Sequence, residues 1–86
     1  MSNTRTGWSC VYVLQSVVRP DRFYVGLTDD LAGRLARHNR GEVPSTRAGA
    51  PWEMRNAFGF RDRARAAAFE RYLKSGSGRA FARRHF

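Results

Sequence analysis

The sequence predicts an α+β domain in which a small three-stranded antiparallel sheet is flanked by helices, in the order β-β-α-β-α-α. Two short runs dense in β-branched and aromatic residues, CVYVLQ at 10–15 and FYVGL at 23–27, are joined by turn chemistry at Pro20 and Asp21, so they close as a hairpin. Farther on, 30–39 and 63–74 carry apolar residues at helical spacing, while 52–60 alternates with the period of a strand. A hairpin first and helices later is an order that builds an antiparallel rather than a parallel sheet.

Each element has its own reason. Residues 1–8 read as a flexible lead-in, with Trp8 tacking it to the body, and 9–86 as a single domain. In the first strand Cys10, Tyr12 and Leu14 share one face and Val11 and Val13 the other, so both faces are apolar and the strand is central. Cys10 reads as a small buried residue there. The second strand contains Gly26, whose missing side chain permits a sharp backbone change or the close approach of another group. Thr28 and Asp29 then offer N-cap oxygens to a helix at 30–39. Leu31 and Leu35 form the core stripe of that helix, and Arg34 and His38 stack one turn apart on its flank, about 60° away.

Residues 40–51 read as a long loop. In 52–60 the alternation puts Trp52, Met54, Asn56, Phe58 and Phe60 on one face and Glu53, Arg55, Ala57 and Gly59 on a solvated one. Asp62 caps a helix at 63–74 that turns Ala66, Phe69 and Leu73 inward and holds Glu70 on the rim of that face. The glycines and serines of 75–78 break this helix before a short basic helix at 79–86.

Composition narrows the function. A chain of 86 residues buries only about 60–65 % of its unfolded surface, which suits one modest core. No run of 18 apolar residues occurs and the first residues are too polar for a signal peptide, which points to the cytoplasm and away from membranes. One cysteine excludes an intrachain disulfide and a cysteine-based zinc site. Sixteen Lys and Arg against seven Asp and Glu leave +9, and ten of the sixteen lie in 44–86 against three acids. Fifteen are Arg, the side chain suited to bidentate phosphate contact, so a polyanionic partner is expected. Thr46, Arg47, Lys74, Arg79, Arg83 and Arg84 are the candidates for contact with a nucleic-acid backbone, which positions the polymer without reading its bases. Nothing reads as a recognition helix or zinc finger, so little sequence specificity and strong salt dependence are expected.

The ordered features resemble the GIY-YIG nuclease family, which includes homing endonucleases, the incision subunit of bacterial excision repair, some restriction enzymes and structure-specific nucleases. VY at 11–12 is followed twelve residues later by YVG at 24–26, and Arg34 stands eight residues past Gly26 in a helix. HNRG at 38–41, the Thr46 loop, PWE at 51–53 and ERYLKS at 70–75 look like the compact, single-domain bacterial branch, so the likeness runs from about 9 to 79. The chain departs from the pattern in having Cys10 where the first motif usually has Gly, and in having no Asn after Glu70.

The resemblance implies a DNA endonuclease that needs Mg²⁺ or Mn²⁺, with Tyr12, Tyr24, Arg34, His38 and Glu70 as its catalytic set. In that scheme Glu70 holds the metal and Arg34 neutralises charge on the phosphoryl oxygens. Tyr12 orients or deprotonates the attacking water, which needs help from Arg34 and the metal because a free phenol titrates near pH ~10. Tyr24 positions water or phosphate, and His38 relays a proton or binds phosphate. DNA is the implied substrate, with selectivity for its structure left open, and a protein partner or homodimer mate would do the targeting. The alternative is a basic nucleic-acid-binding module that cuts weakly or not at all. Taken singly, the tyrosines read as strand aromatics, Arg34 and His38 as surface helix residues, and Glu70 with Lys74 as an exposed helix pair; only their joint order points to a site.

Overall fold

The computed structural model of the chain describes residues 7–85. Its elements are β1 (Ser9–Ser16), β2 (Phe23–Thr28), α1 (Leu31–Asn39), a 3₁₀ segment (Pro44–Gly49), β3 (Trp52–Phe60), α2 (Arg63–Lys74) and α3 (Gly76–His85). The strands form one antiparallel sheet in the order β2-β1-β3. As its two apolar faces predict, β1 is the central strand, and Val11, Tyr12, Val13 and Leu14 are each at most 2 % exposed. Cys10 is only half-buried, because it sits near the open end of the sheet between Thr28 and Gly59.

Both faces are covered. Val11 and Val13 pack with Ala66 and Leu73 of α2, joined by Val25, Leu27, Phe58, Phe60 and Phe69. On the opposite face Tyr12, Leu14 and Trp52 pack with Tyr24, Met54 and Ala50, and with Leu31 and Leu35 of α1. At about 25 cal/mol per Å² of apolar surface removed from water, these clusters are the main favourable term for a sheet this small.

The expectation that Trp52, Met54, Asn56, Phe58 and Phe60 share a face is corrected here. Val13 pairs with Asn56 but Leu14 pairs with Met54, so Arg55 is an extra residue in β3. Such a bulge reverses the alternation. Trp52 and Met54 therefore join Tyr12 and Leu14, while Phe58 and Phe60 join Val11 and Val13.

Three boundaries also differ. Asp30, not Thr28 or Asp29, caps α1 by accepting from the Gly33 amide at 3.0 Å, and Thr28 Oγ1 instead accepts from the Asp30 amide at 3.0 Å. The loop at 40–51 contains the 3₁₀ segment, opened by Pro44. The break at 75–78 shrinks to Ser75, because Ser75 Oγ accepts from the Gly78 amide at 3.1 Å and so caps the next helix. Gly78 is required at that corner, since a Cβ would run into the Tyr72 carbonyl and the Leu73 backbone. Asp62 caps α2 as predicted, accepting from the Ala64 amide at 2.8 Å. Trp8 does tack to the body: its ring lies against Gly59 and carries the Arg61 guanidinium 4.7 Å from its centre. The rest of the lead-in, 1–6, falls outside the described residues. Among the described residues no helix is long and apolar enough to cross a membrane.

Candidate active site

Tyr12 leaves the middle of β1 directly opposite Gly26 of β2. Its ring crosses the neighbouring strand where a side chain would stand: a Cβ on Gly26 would collide with the Tyr12 Oη and Cζ and lie 2.8 Å from Cε1. Glycine is thus needed for close approach at this position. The phenol ends 2.9 Å from His38 Nε2, and His38 Nδ1 lies 2.7 Å from Thr46 Oγ1. All three side chains are buried, with at most 2 % exposure.

The third link fixes the direction of the chain. Thr46 Oγ1 donates to the Val43 carbonyl at 3.3 Å, so it accepts from His38 Nδ1–H. Nε2 then carries the lone pair and accepts from the Tyr12 hydroxyl. Several contacts hold the Thr46 segment in place. Trp52 Nε1 donates to the Thr46 carbonyl at 2.8 Å, and Ser16 Oγ donates to the Gly49 carbonyl at 2.6 Å. Asn39, at the end of α1, exchanges two hydrogen bonds with the Trp52 backbone at 2.6 and 3.0 Å.

Tyr24 comes from the edge strand and is half-buried. Its ring centre is 6.3 Å from that of Tyr12 and 5.0 Å from that of His38. Glu70 and Lys74 come from α2, which packs on the other face, and reach the site past β2. Lys74 Nζ is 3.1 Å from Glu70 Oε2 and 5.8 Å from the Tyr24 ring centre. The Glu70 side chain is 22 % exposed and that of Lys74 is 49 % exposed, so the pair is one that water screens.

Burial first, then Tyr24, pushes the Tyr12 phenol up to about 12; Glu70 adds to the rise, and Arg34 opposes it through charge and hydrogen bonding. Burial, with the charges of Arg34 and Arg37, holds His38 below its ordinary value of 6.5. The resting state near neutral pH is therefore a neutral imidazole accepting from a neutral phenol. Tyr24, Arg34 and Glu70 all bear electrostatically on the Tyr12 oxygen, so two phenols, an imidazole, a guanidinium and a carboxylate from β1, β2, α1 and α2 share one site.

Among the described residues no three His, Cys, Asp or Glu gather as a closed metal centre. Glu70 alone offers a partly exposed carboxylate, which fits Mg²⁺ or Mn²⁺ held jointly by one acid, water and substrate phosphate, provided Lys74 swings aside.

The residues expected along a phosphate backbone divide. Thr46 is corrected: it is 2 % exposed and its hydroxyl is spent on His38, because the 3₁₀ segment turns it inward. Arg47 is exposed but its Nε donates to the Gly41 carbonyl at 3.0 Å. Lys74, Arg79 and Arg83 line one groove, whereas Arg84 lies on a different flank of α3 with Phe81 and His85. Asn39 and Trp52 position the Thr46 segment; the sequence marks them only as members of the HNRG and PWE segments.

Comparison with known proteins identifies relatives of the chain. The chain is 40 % identical over 67 residues to the structure-specific endonuclease subunit slx1 of Talaromyces marneffei, covering 71 % of this chain and 17 % of that protein. It is 39 % identical over 69 residues to the subunit SLX1 of Paracoccidioides lutzii, covering 73 % of this chain and 16 % of that protein. These relatives are fungal, whereas the sequence motifs suggested a bacterial branch, and the chain spans about one sixth of their length. The GIY-YIG catalytic domain matches residues 9–84, from the start of β1 almost to the end of α3, and the chain belongs to the GIY-YIG family.

Proposed function

We propose that this domain hydrolyses DNA phosphodiesters with Mg²⁺ or Mn²⁺, with little sequence specificity and with selectivity for DNA structure. The observation that carries the reading is the buried chain from Tyr12 to His38 to Thr46, at 2.9 and 2.7 Å, with Arg34 and Glu70 acting on the same phenol. The relatives named as structure-specific endonuclease subunits support the structural selectivity and a protein partner that targets the cut.

The phenol at about 12 and the imidazole below 6.5 strongly disfavour a standing Tyr12 phenolate beside a protonated His38. Tyr12 works instead as a relay: it takes a proton from water as it passes its own to His38 Nε2. The net base is then the imidazole, which its depressed pKa keeps neutral and ready to accept a proton. Because Tyr12 has no exposed surface, the water enters past Tyr24, which orients it or the phosphate. Arg34 supplies a permanent planar cation for charge growing on the phosphoryl oxygens. Glu70 would hold the divalent cation, which would supply Lewis-acid stabilisation of the developing charge, and Lys74, released from Glu70, would meet a phosphate.

The second reading, a binding module that does not cut, draws on the full burial of Tyr12 and the occupation of Glu70 by Lys74. Incubation with supercoiled, single-stranded and branched DNA in Mg²⁺, Mn²⁺ or chelator separates the two. Nicking that requires the cation and is lost in Glu70→Gln supports the nuclease; DNA binding with no nicking under any of these cations overturns it.

A further inference from the structure

Beside the catalytic residues, on the α2 and α3 face, lies a groove of about 680 Å³. That volume falls within the range of about 300–1,000 Å³ typical of sites for small ligands. Its floor is apolar, built from Val13, Val25 and Leu73 with Phe23 at the lip, and its rim carries Lys74, Arg79 and Arg83. Arg79 and Arg83 are one turn apart on α3, so their side chains point to the same place. Asp21 is the one acid in the lining, and three cations outweigh it.

Two details tie this groove to the site. Tyr24 and Lys74 belong to both: Lys74 reaches Glu70 and the Tyr24 ring while lining the groove. Phe23 is 53 % exposed at the end of the edge strand, a large aromatic surface that the core does not use. An apolar floor with an aromatic lip matches the two faces of a nucleobase, and a basic rim matches the phosphates on either side of it. A duplex cannot enter such a groove, since its bases are stacked inward.

We propose that the groove takes one unpaired DNA nucleotide next to the phosphodiester at the site, its base against Phe23 and its phosphate on Arg79 and Arg83. The adjacency to a scissile bond rests on the nuclease reading above; the binding does not. The groove gives the domain a physical reason to favour DNA with unpaired nucleotides, such as flaps and frayed ends, over continuous duplex.

The test measures binding, so it needs no cleavage. The full chain is titrated in chelator with a five-nucleotide oligo-dT and with a continuous duplex, for wild type and for Phe23→Ala, with circular dichroism confirming the fold of each. Losing one stacked base lowers affinity by about 5- to 150-fold, so the preference for oligo-dT over duplex falls by that factor in Phe23→Ala. In wild type, oligo-dT shifts the NMR methyl signals of Val25, Leu73 and Ala82. An unchanged preference in Phe23→Ala, or oligo-dT that leaves those methyls unmoved, overturns the groove assignment. If wild type cuts no DNA yet shows both effects, the catalytic reading fails and this one stands.

Discussion

One strand serves both faces of the sheet, yet the two faces have opposite characters. Toward α2, β1 presents Val11 and Val13 to Ala66, Leu73 and the phenylalanines at 58, 60 and 69, an apolar cluster with buried Ser9 only at the start of the strand. Toward α1 it presents Tyr12 and Leu14 to Trp52, and there His38, Thr46 and Ser16 are buried as well. Every buried side-chain nitrogen and oxygen among the described residues has a partner. The difference teaches where chemistry can be held in a small domain. Apolar contacts are non-directional and tolerate repacking, whereas a buried polar chain holds each atom by the next and is costly to break. The dry face sets stability and the polar face sets geometry.

That division can be broken or sharpened by substitution. A large effect is expected from Arg34→Ala on the polar side: nicking falls by about 10²–10³-fold while urea unfolding shifts by less than about 1 kcal/mol. A mirror result is expected from Phe69→Ala on the dry side, where ring contacts to Phe58 and Phe60 at 5.1 and 5.6 Å are lost. Chemical denaturation should show a loss of about 3 kcal/mol, with the nicking rate per folded molecule kept. If Phe69→Ala instead abolishes nicking in the folded protein, the division of labour is wrong.

Smaller effects test the chain of hydrogen bonds. Thr46→Val keeps the shape but leaves His38 Nδ1–H buried and unpaired, which costs about 1–3 kcal/mol. It also frees the imidazole to move its proton to Nε2, and nitrogen NMR of His38 reports that change of tautomer. The pH dependence should be opposite at its two ends. His38 is depressed below 6.5 in the fold, so its contribution is present above that pH and is lost as pH falls through the folded value. Tyr12 is raised from 10.0 to about 12, so its contribution is present below pH 10.0 and is lost as pH rises toward 12. Unfolding free energies across pH should lose the alkaline slope in Tyr12→Phe and the acid slope in His38→Gln; slopes retained in those variants would assign the titrations elsewhere.

Much of this was legible in the residues, for physical reasons that differ by element. β1, β3 and α2 have sharp periodicities, and α2 occupies 63–74 as its cap and apolar spacing predict. The Tyr12 and Tyr24 spacing is legible because the hairpin fixes its own register, and that register puts Gly26 opposite Tyr12. The bulge at Arg55 left no trace, since the apolar alternation runs through it unbroken while the sheet reverses beneath it. Helix α3 begins early because Ser75 supplies a cap that outweighs the poor helix propensity of two glycines, a local exchange that composition hides. Thr46 reads as a surface loop residue; only the approach of His38 from α1 and Trp52 from β3 turns it inward.

The central claim is that the Tyr12 phenol passes a proton to His38 while DNA is cut. Single-turnover cleavage of a flapped duplex by Tyr12→Phe, beside its affinity for the same DNA in chelator, tests this most directly. The account predicts a folded protein that binds as wild type does and cuts about 10²–10⁴-fold more slowly. Cleavage by Tyr12→Phe at the wild-type rate would contradict it.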